Sequence, residues 1–180
     1  MLSTLVLGLA LHVAPDGYVN ITEQQLDQYV AQHIKLTHHY AMPGLFSADV
    51  NMSNMKVALA RQTSNQAEVN GAGKFILTLP NRAPIDGILS ARFAATPRYA
   101  ADQGAIYLER FQLLDYTLQP ASLQQQVAVL MPYLLQGLQS RLASRPAYQL
   151  DNKDPQQLWL RQHITSFEMQ PGILRLKTRS

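Results

Sequence analysis

A chain of 180 residues falls within the roughly 100 to 200 residues of one domain and is long enough to bury a substantial core. Its formal charge of +3 comes from scattered Lys and Arg with no basic stripe, which argues against a nucleic-acid partner, and the absence of cysteine excludes disulfides, thiolate metal sites and a cysteine nucleophile. Charged residues make up only 15% of the chain against roughly 25% in ordinary soluble domains, so the expected surface is rich in Gln, Asn, Ser and Thr.

The stretch Met1 to Ala14 carries no ionisable side chain apart from His12. It is shorter than the about 20 apolar residues that span a bilayer and matches a secretory h-region of about 7 to 15. Residues 1–17 are therefore read as an export or anchor segment, with a buried N-terminal strand as the competing reading. No Lys or Arg precedes the apolar run and no clean small-x-small cleavage site follows it. A start codon placed too late would account for the missing basic residues. The rest, 18–180, reads as one α+β domain.

Pro15-Asp16-Gly17 is a turn signal, followed by a short strand at 18–21. Thr22 and Gln25 form a capping-box pattern that opens a helix running to about 35 or 36, with Leu26, Tyr29, Val30, His33 and Ile34 on one face. Residues 41–44 read as a loop. From 48 the period changes to two; the apolar parity switches between Met52 and Met55, which predicts a bulge near Asn54. Residues 68–79 form the clearest strand, with Val69, Gly71, Gly73, Phe75, Leu77 and Leu79 on one face. A third strand is expected at 85–96, with Ile85, Leu89, Ala91 and Phe93 together. A fourth, 105–118, changes parity from Phe111 and Leu113 to Leu114, Tyr116 and Leu118. Short turns between these four imply an antiparallel meander, and Gly71, Gly73 and Gly87 would let it curve.

The longest helix is expected from about 122 to 144, with Leu123, Val127, Leu130, Leu134, Leu138 and Leu142 as its apolar stripe. Pro132 inside it removes a backbone hydrogen bond and predicts a kink. A short strand at 148–150, a helix at 156–163 bearing Trp159, and strands at 166–169 and 173–177 around Gln170-Pro171-Gly172 complete the chain. The fold class is α+β: a curved antiparallel sheet, an about four-stranded meander plus short extra strands, wrapped around a long C-terminal helix, with an N-terminal helix.

No catalytic constellation emerges. His33, His38 and His39, placed at the end of the first helix, miss the four-residue spacing of a helical zinc site, so no metal is expected; they read as a core residue and two groups near the C-terminal carbonyls. Glu109 and Asp115 share a strand, but carboxylates on a solvated face are the commoner case. Ser3, Ser47 and Ser53 lie in no nucleophile elbow, no glycine pattern matches a phosphate loop, and no cofactor is implied. What remains is apolar surface. A curved sheet facing a kinked helix leaves a gap, whose candidate lining is Phe75, Leu77, Phe93, Phe111, Leu123, Val127, Leu130, Met131, Leu134 and Leu138. Met42, Met52, Met55 and Met131 suit such a site because Met adapts its shape.

The order of segments resembles the YceB-like envelope lipoproteins of gamma-proteobacteria, a domain family of unknown function. The resemblance rests on Ile21-Thr22-Glu23-Gln24, Met42-Pro43-Gly44, Gly104 to Leu108, Leu114 to Pro120, Met131-Pro132-Tyr133-Leu134, Arg145 to Leu150 and Gln170 to Leu174. It implies a periplasm-facing or envelope-anchored protein, a fold similar to the tubular lipid-binding superfamily, and no established catalytic residues. Family members typically carry a lipobox cysteine, where this chain has Leu11 and His12. The expected function is non-catalytic binding of a lipid or other hydrophobic small molecule. The alternative is an adaptor with a packed core that docks on an envelope protein partner. Membrane association, on either reading, would run through the N-terminus.

Overall fold

The computed structural model describes residues 17–33 and 36–179. The N-terminal apolar segment lies outside them except for Gly17. The architecture is α+β, with two antiparallel sheets. A short strand β1 (Tyr18–Thr22) leads into helix α1 (Glu23–His33), and then β2 (Leu36–Met42), β3 (Phe46–Leu59), β4 (Ala67–Thr78), β5 (Ile85–Ala100) and β6 (Ala105–Gln119) follow as a meander. Helices α2 (Ser122–Ala128) and α3 (Met131–Ser144) return the chain to β7 (Tyr148–Gln149), and α4 (Pro155–His163), β8 (Ile164–Gln170) and β9 (Ile173–Thr178) close it. Strands β2 to β7 form one sheet in sequence order; β1, β9 and β8 form a separate one in that order.

Four expectations change. Strand β2 begins at Leu36, so His38 and His39 belong to a strand, paired with Val50 and Asp49. His39 Nδ1 lies 2.7 Å from Asp49 Oδ1 and is not at helix carbonyls. Alternation of Leu36, His38, Tyr40 and Met42 is weak in composition, and pairing with β3 decides it. Of the extra strands, β7 joins the edge of the meander, while β1, β8 and β9 build a sheet of their own, because β1 and β9 come from distant parts of the sequence and pair along their length. The expected long helix is two helices: Pro132 lacks the N–H that would bond the Ala128 carbonyl, and its ring would crowd that oxygen, so α2 stops at Ala128 and α3 restarts at Met131. Leu114, assigned to the buried face, is 38% exposed. It is the extra residue where the β5–β6 register shifts between Arg92 and Phe93, which opposite Asp115 and Leu113 leaves Leu114 unpaired. The bulge at Asn54 stands as expected, with a register shift between Ser53 and Lys56 and a positive φ of 52°.

Helix α1 is fixed to the sheet by its carboxylates. Strand β2 pairs with β3 only as far as Met52, so the following edge of β3 meets the helix instead. Asp27 Oδ1 accepts from Val57 N and Glu23 Oε1 from Leu59 N, each at 2.7 Å. The spacings fit: four residues on a helix advance about 6 Å and two on a strand about 6.6 Å. Lys56 and Arg61 complete the two ion pairs, at 3.1 Å to Asp27 Oδ2 and 2.7 Å to Glu23 Oε2. The capping box at Thr22 and Gln25 forms, with Thr22 N donating to Gln25 Oε1 at 2.9 Å and Gln25 N to Thr22 Oγ1 at 3.3 Å.

The three-stranded sheet shares a core with the near end of the meander, through Val19, Ile21, Leu59, Leu160, Leu174 and Leu176. A second core lies on the meander itself, with Phe46, Ala48, Phe75, Leu77, Leu118, Leu123 and Val127.

The hydrogen bond from Arg61, with smaller help from the Leu59 amide, holds the Glu23 carboxyl below its ordinary pKa against the opposing effect of burial. A lowered folded pKa gives stability that is present above the unfolded value of about 4.3 and is lost as pH falls through the folded one. Denaturant titration should therefore show Glu23→Gln costing about 1 to 2 kcal/mol at neutral pH, with a shallower loss of stability on acidification than in the parent chain. Identical acid profiles for the two proteins would contradict the role given to this carboxylate.

Candidate ligand cavity

The register of the meander sets two rows of side chains on its inner face. Val50 stands opposite Phe75 and Phe75 opposite Gly87; Met52 stands opposite Gly73, Gly73 opposite Leu89, and Leu89 opposite Leu118. The missing side chain at Gly87 admits α2. A Cβ there would lie 2.6 Å from Leu123 Cδ1 and 2.8 Å from the Gln119 carbonyl oxygen. Helix α2 is seated through Leu123 and Val127, each 1% exposed. Gln124 ties it to the sheet, accepting from Leu118 N at 3.0 Å.

Beyond the break, α3 covers the sheet without sinking into it, and none of its residues is buried. It touches down at separate points. The position of a Cβ on Gly137 is 3.6 Å from the Tyr40 ring, and Gln139 Nε2 donates to the Phe111 carbonyl at 3.1 Å. Between α3 and the sheet lies a cavity of about 100 Å³. Its floor comes from Tyr40, Val50, Met52 and Phe75 on β2 to β4, and from Leu89, Phe93 and Leu118 on β5 and β6. Its cover is Val127 of α2 with Met131, Leu134, Leu135 and Leu138 of α3. The wall is almost wholly apolar. Tyr40 is its one hydroxyl-bearing side chain, and burial raises that phenol above its usual pKa while Arg141 pulls it partly back.

Of the residues expected to line such a gap, Phe75, Phe93, Val127, Met131, Leu134 and Leu138 do so. Leu77 and Leu123 are fully packed in the core beside it, and Leu130 packs against that core. Phe111 lies behind the wall, its ring stacked on Phe93 with centroids 5.1 Å apart. Tyr40, Val50, Met52, Leu89, Leu118 and Leu135 complete the lining. The alternation of β3 and β5 had marked Val50, Met52 and Leu89 as inward-facing, but not that their rows end at the gap. Met42 packs against the Phe75 core and Met55 in a neighbouring cluster with Met52 and Ala91.

Polar groups do not converge here. Glu109 is paired with Arg98 at the surface, and Asp115, further along β6, stands opposite Arg92. Among the described residues, no three His, Asp or Glu side chains gather as metal ligands, and no helix is long and apolar enough to cross a membrane.

An α+β fold of two antiparallel sheets, with an apolar cavity under a two-helix cover, defines the class of protein. The chain belongs to the family described as "Protein of unknown function (DUF1439)", whose family model matches residues 21–173. It is similar to the "Uncharacterized lipoprotein YceB" of Escherichia coli K12 and to that of Shigella flexneri, each 26% identical over 169 residues, which is 93% of this chain and 90% of the relative. The protein of the same name from Salmonella typhimurium LT2 is 24% identical over the same shares.

Adding a methyl at Gly87 would press on the Gln119 backbone, which has no rotamer to yield, as well as on Leu123. Gly87→Ala should lower stability by about 1 to 3 kcal/mol in denaturant unfolding. A variant as stable as the parent would show that α2 does not seat this closely.

Proposed function

We propose that the chain is a non-catalytic binding protein of the cell envelope that shelters the hydrocarbon part of a lipid-like molecule between the meander and the α2–α3 cover. The observation that carries this reading is space left unfilled at the centre of an otherwise packed apolar face. Apolar walls facing an unfilled gap lack packing partners on one side, contacts that a fitting ligand restores. A cavity of about 150 Å³ lined by Leu, Ile and Phe stays dry and accepts benzene, so the space suits an apolar group of that order. A longer chain fits once α3 shifts, and the partial exposure of that helix favours such a shift. In this reading the sheet, bent by its bulges, curls around the cover much as in tubular lipid-binding proteins. The lipoprotein names of the relatives support an envelope location.

A second reading, an adaptor that acts through contact with an envelope protein, draws on Val129 and Tyr133, which stand 72% and 51% exposed at the break between the helices. Cross-linking that recovers one protein partner from a chain whose organic extract is empty would favour it.

Filling the space separates the two. Leu134→Trp should cut uptake of a fluorescent fatty-acid probe at least tenfold while the protein still melts cooperatively near the parent temperature, and organic extracts of the gently purified parent should contain lipid that the variant lacks. Equal uptake by both proteins, or none by the parent, would count against a carrier.

A further inference from the structure

Gly17, where the described fold begins, is held against the end of β9: its carbonyl accepts from Thr178 N at 2.9 Å and from Thr178 Oγ1 at 2.7 Å. The apolar stretch Met1 to Ala14 therefore reaches the fold, through Pro15 and Asp16, beside the last residues of the chain. That end of the three-stranded sheet carries three cationic residues within five positions, Arg175, Lys177 and Arg179. Lys177 stands opposite Tyr18 in the β1–β9 register, and the Arg175 guanidinium lies 4.1 Å from the centre of the Tyr18 ring. Arg179 N donates to the His163 carbonyl at 2.7 Å, and the His163 ring stacks on Trp159 with centroids 4.3 Å apart. Trp159, the sole tryptophan of the chain, is 38% exposed.

We infer that this end of the three-stranded sheet is a membrane-contact surface for anionic phospholipid headgroups. Lys177 and Arg179 supply the charge, and Trp159 and Tyr18 supply amphipathic rings that settle at headgroup depth. Two observations point to a lipid surface: the cations, and the apolar stretch that precedes Gly17 in the sequence, Gly17 itself being bonded to Thr178 between Lys177 and Arg179. Glu168, opposite Arg175 on β8, offsets one of the three positive charges, so the attraction is local and modest, and the rings contribute the remainder. The inference is independent of whether the cavity holds a ligand.

Trp159 is its own reporter. With the full chain, vesicles of phosphatidylglycerol mixed with phosphatidylcholine should shift Trp159 emission to shorter wavelength and allow quenching by lipids brominated near the headgroup, whereas pure phosphatidylcholine should not. Each surface Lys or Arg is worth about fivefold in affinity for an anionic membrane, so Lys177→Gln with Arg179→Gln should weaken the response about thirtyfold. Arg82→Gln, in the β4–β5 turn at the other end of the meander, should leave it unchanged. Unaltered Trp159 emission with either vesicle would overturn the inference, as would equal responses to the two, or an Arg82→Gln loss matching that of the double variant.

Discussion

The structure turns on one proline. At Pro132 the backbone cannot donate to the preceding turn, and a helix that could have been a single rod becomes two with different duties. Helix α2 drives Leu123 and Val127 into the meander over Gly87 and is part of the core. Helix α3, beyond the break, covers the sheet with none of its residues buried, and its contacts include a glycine against Tyr40 and a glutamine on the Phe111 carbonyl. Space beneath α3 follows from this division. A continuous helix with its leucine stripe pressed on the sheet would have closed it.

The other end of the molecule is organised by charge. The open edge of β3 past Met52 is a row of backbone donors that need partners, and two carboxylates four residues apart on α1 meet two amides two residues apart on the strand. Arg61 and Lys56 then neutralise the carboxylates. This edge closure leads β1 into the three-stranded sheet, and Gly172 N donating to the Leu59 carbonyl at 2.9 Å joins that sheet to the meander. The space under α3 and the three-stranded sheet are thus held by separate cores.

Much of the fold was legible in the residues because local chemistry decides it. Alternation located β3 to β6, the parity switch located the bulge at Asn54, and Thr22 with Gln25 located the start of α1. What was not legible depends on partners distant in sequence. The strand containing His38 and His39 exists because β3 pairs with it, and β1 becomes a strand of a second sheet because β9 lies beside it. Leu114 was misplaced because a parity change shows that a residue is extra without showing which. For the cavity, apolar spacing identified the α3 side, where Met131, Leu134 and Leu138 recur at helical intervals. The floor required cross-strand register to bring Met52, Leu89 and Leu118 into one row, and Leu77, Leu123, Leu130 and Phe111 have the same chemistry as the lining residues but different neighbours.

The account as a whole rests on the space under α3 being a place for hydrocarbon. Methionine methyl NMR of the full chain during titration with a twelve-carbon fatty acid tests this most directly, because Met52 and Met131 line the space while Met169 sits in the core of the three-stranded sheet. The account predicts saturable shifts of the Met52 and Met131 methyl signals with Met169 unmoved. Signals that stay in place, or that move equally at all three, would contradict it.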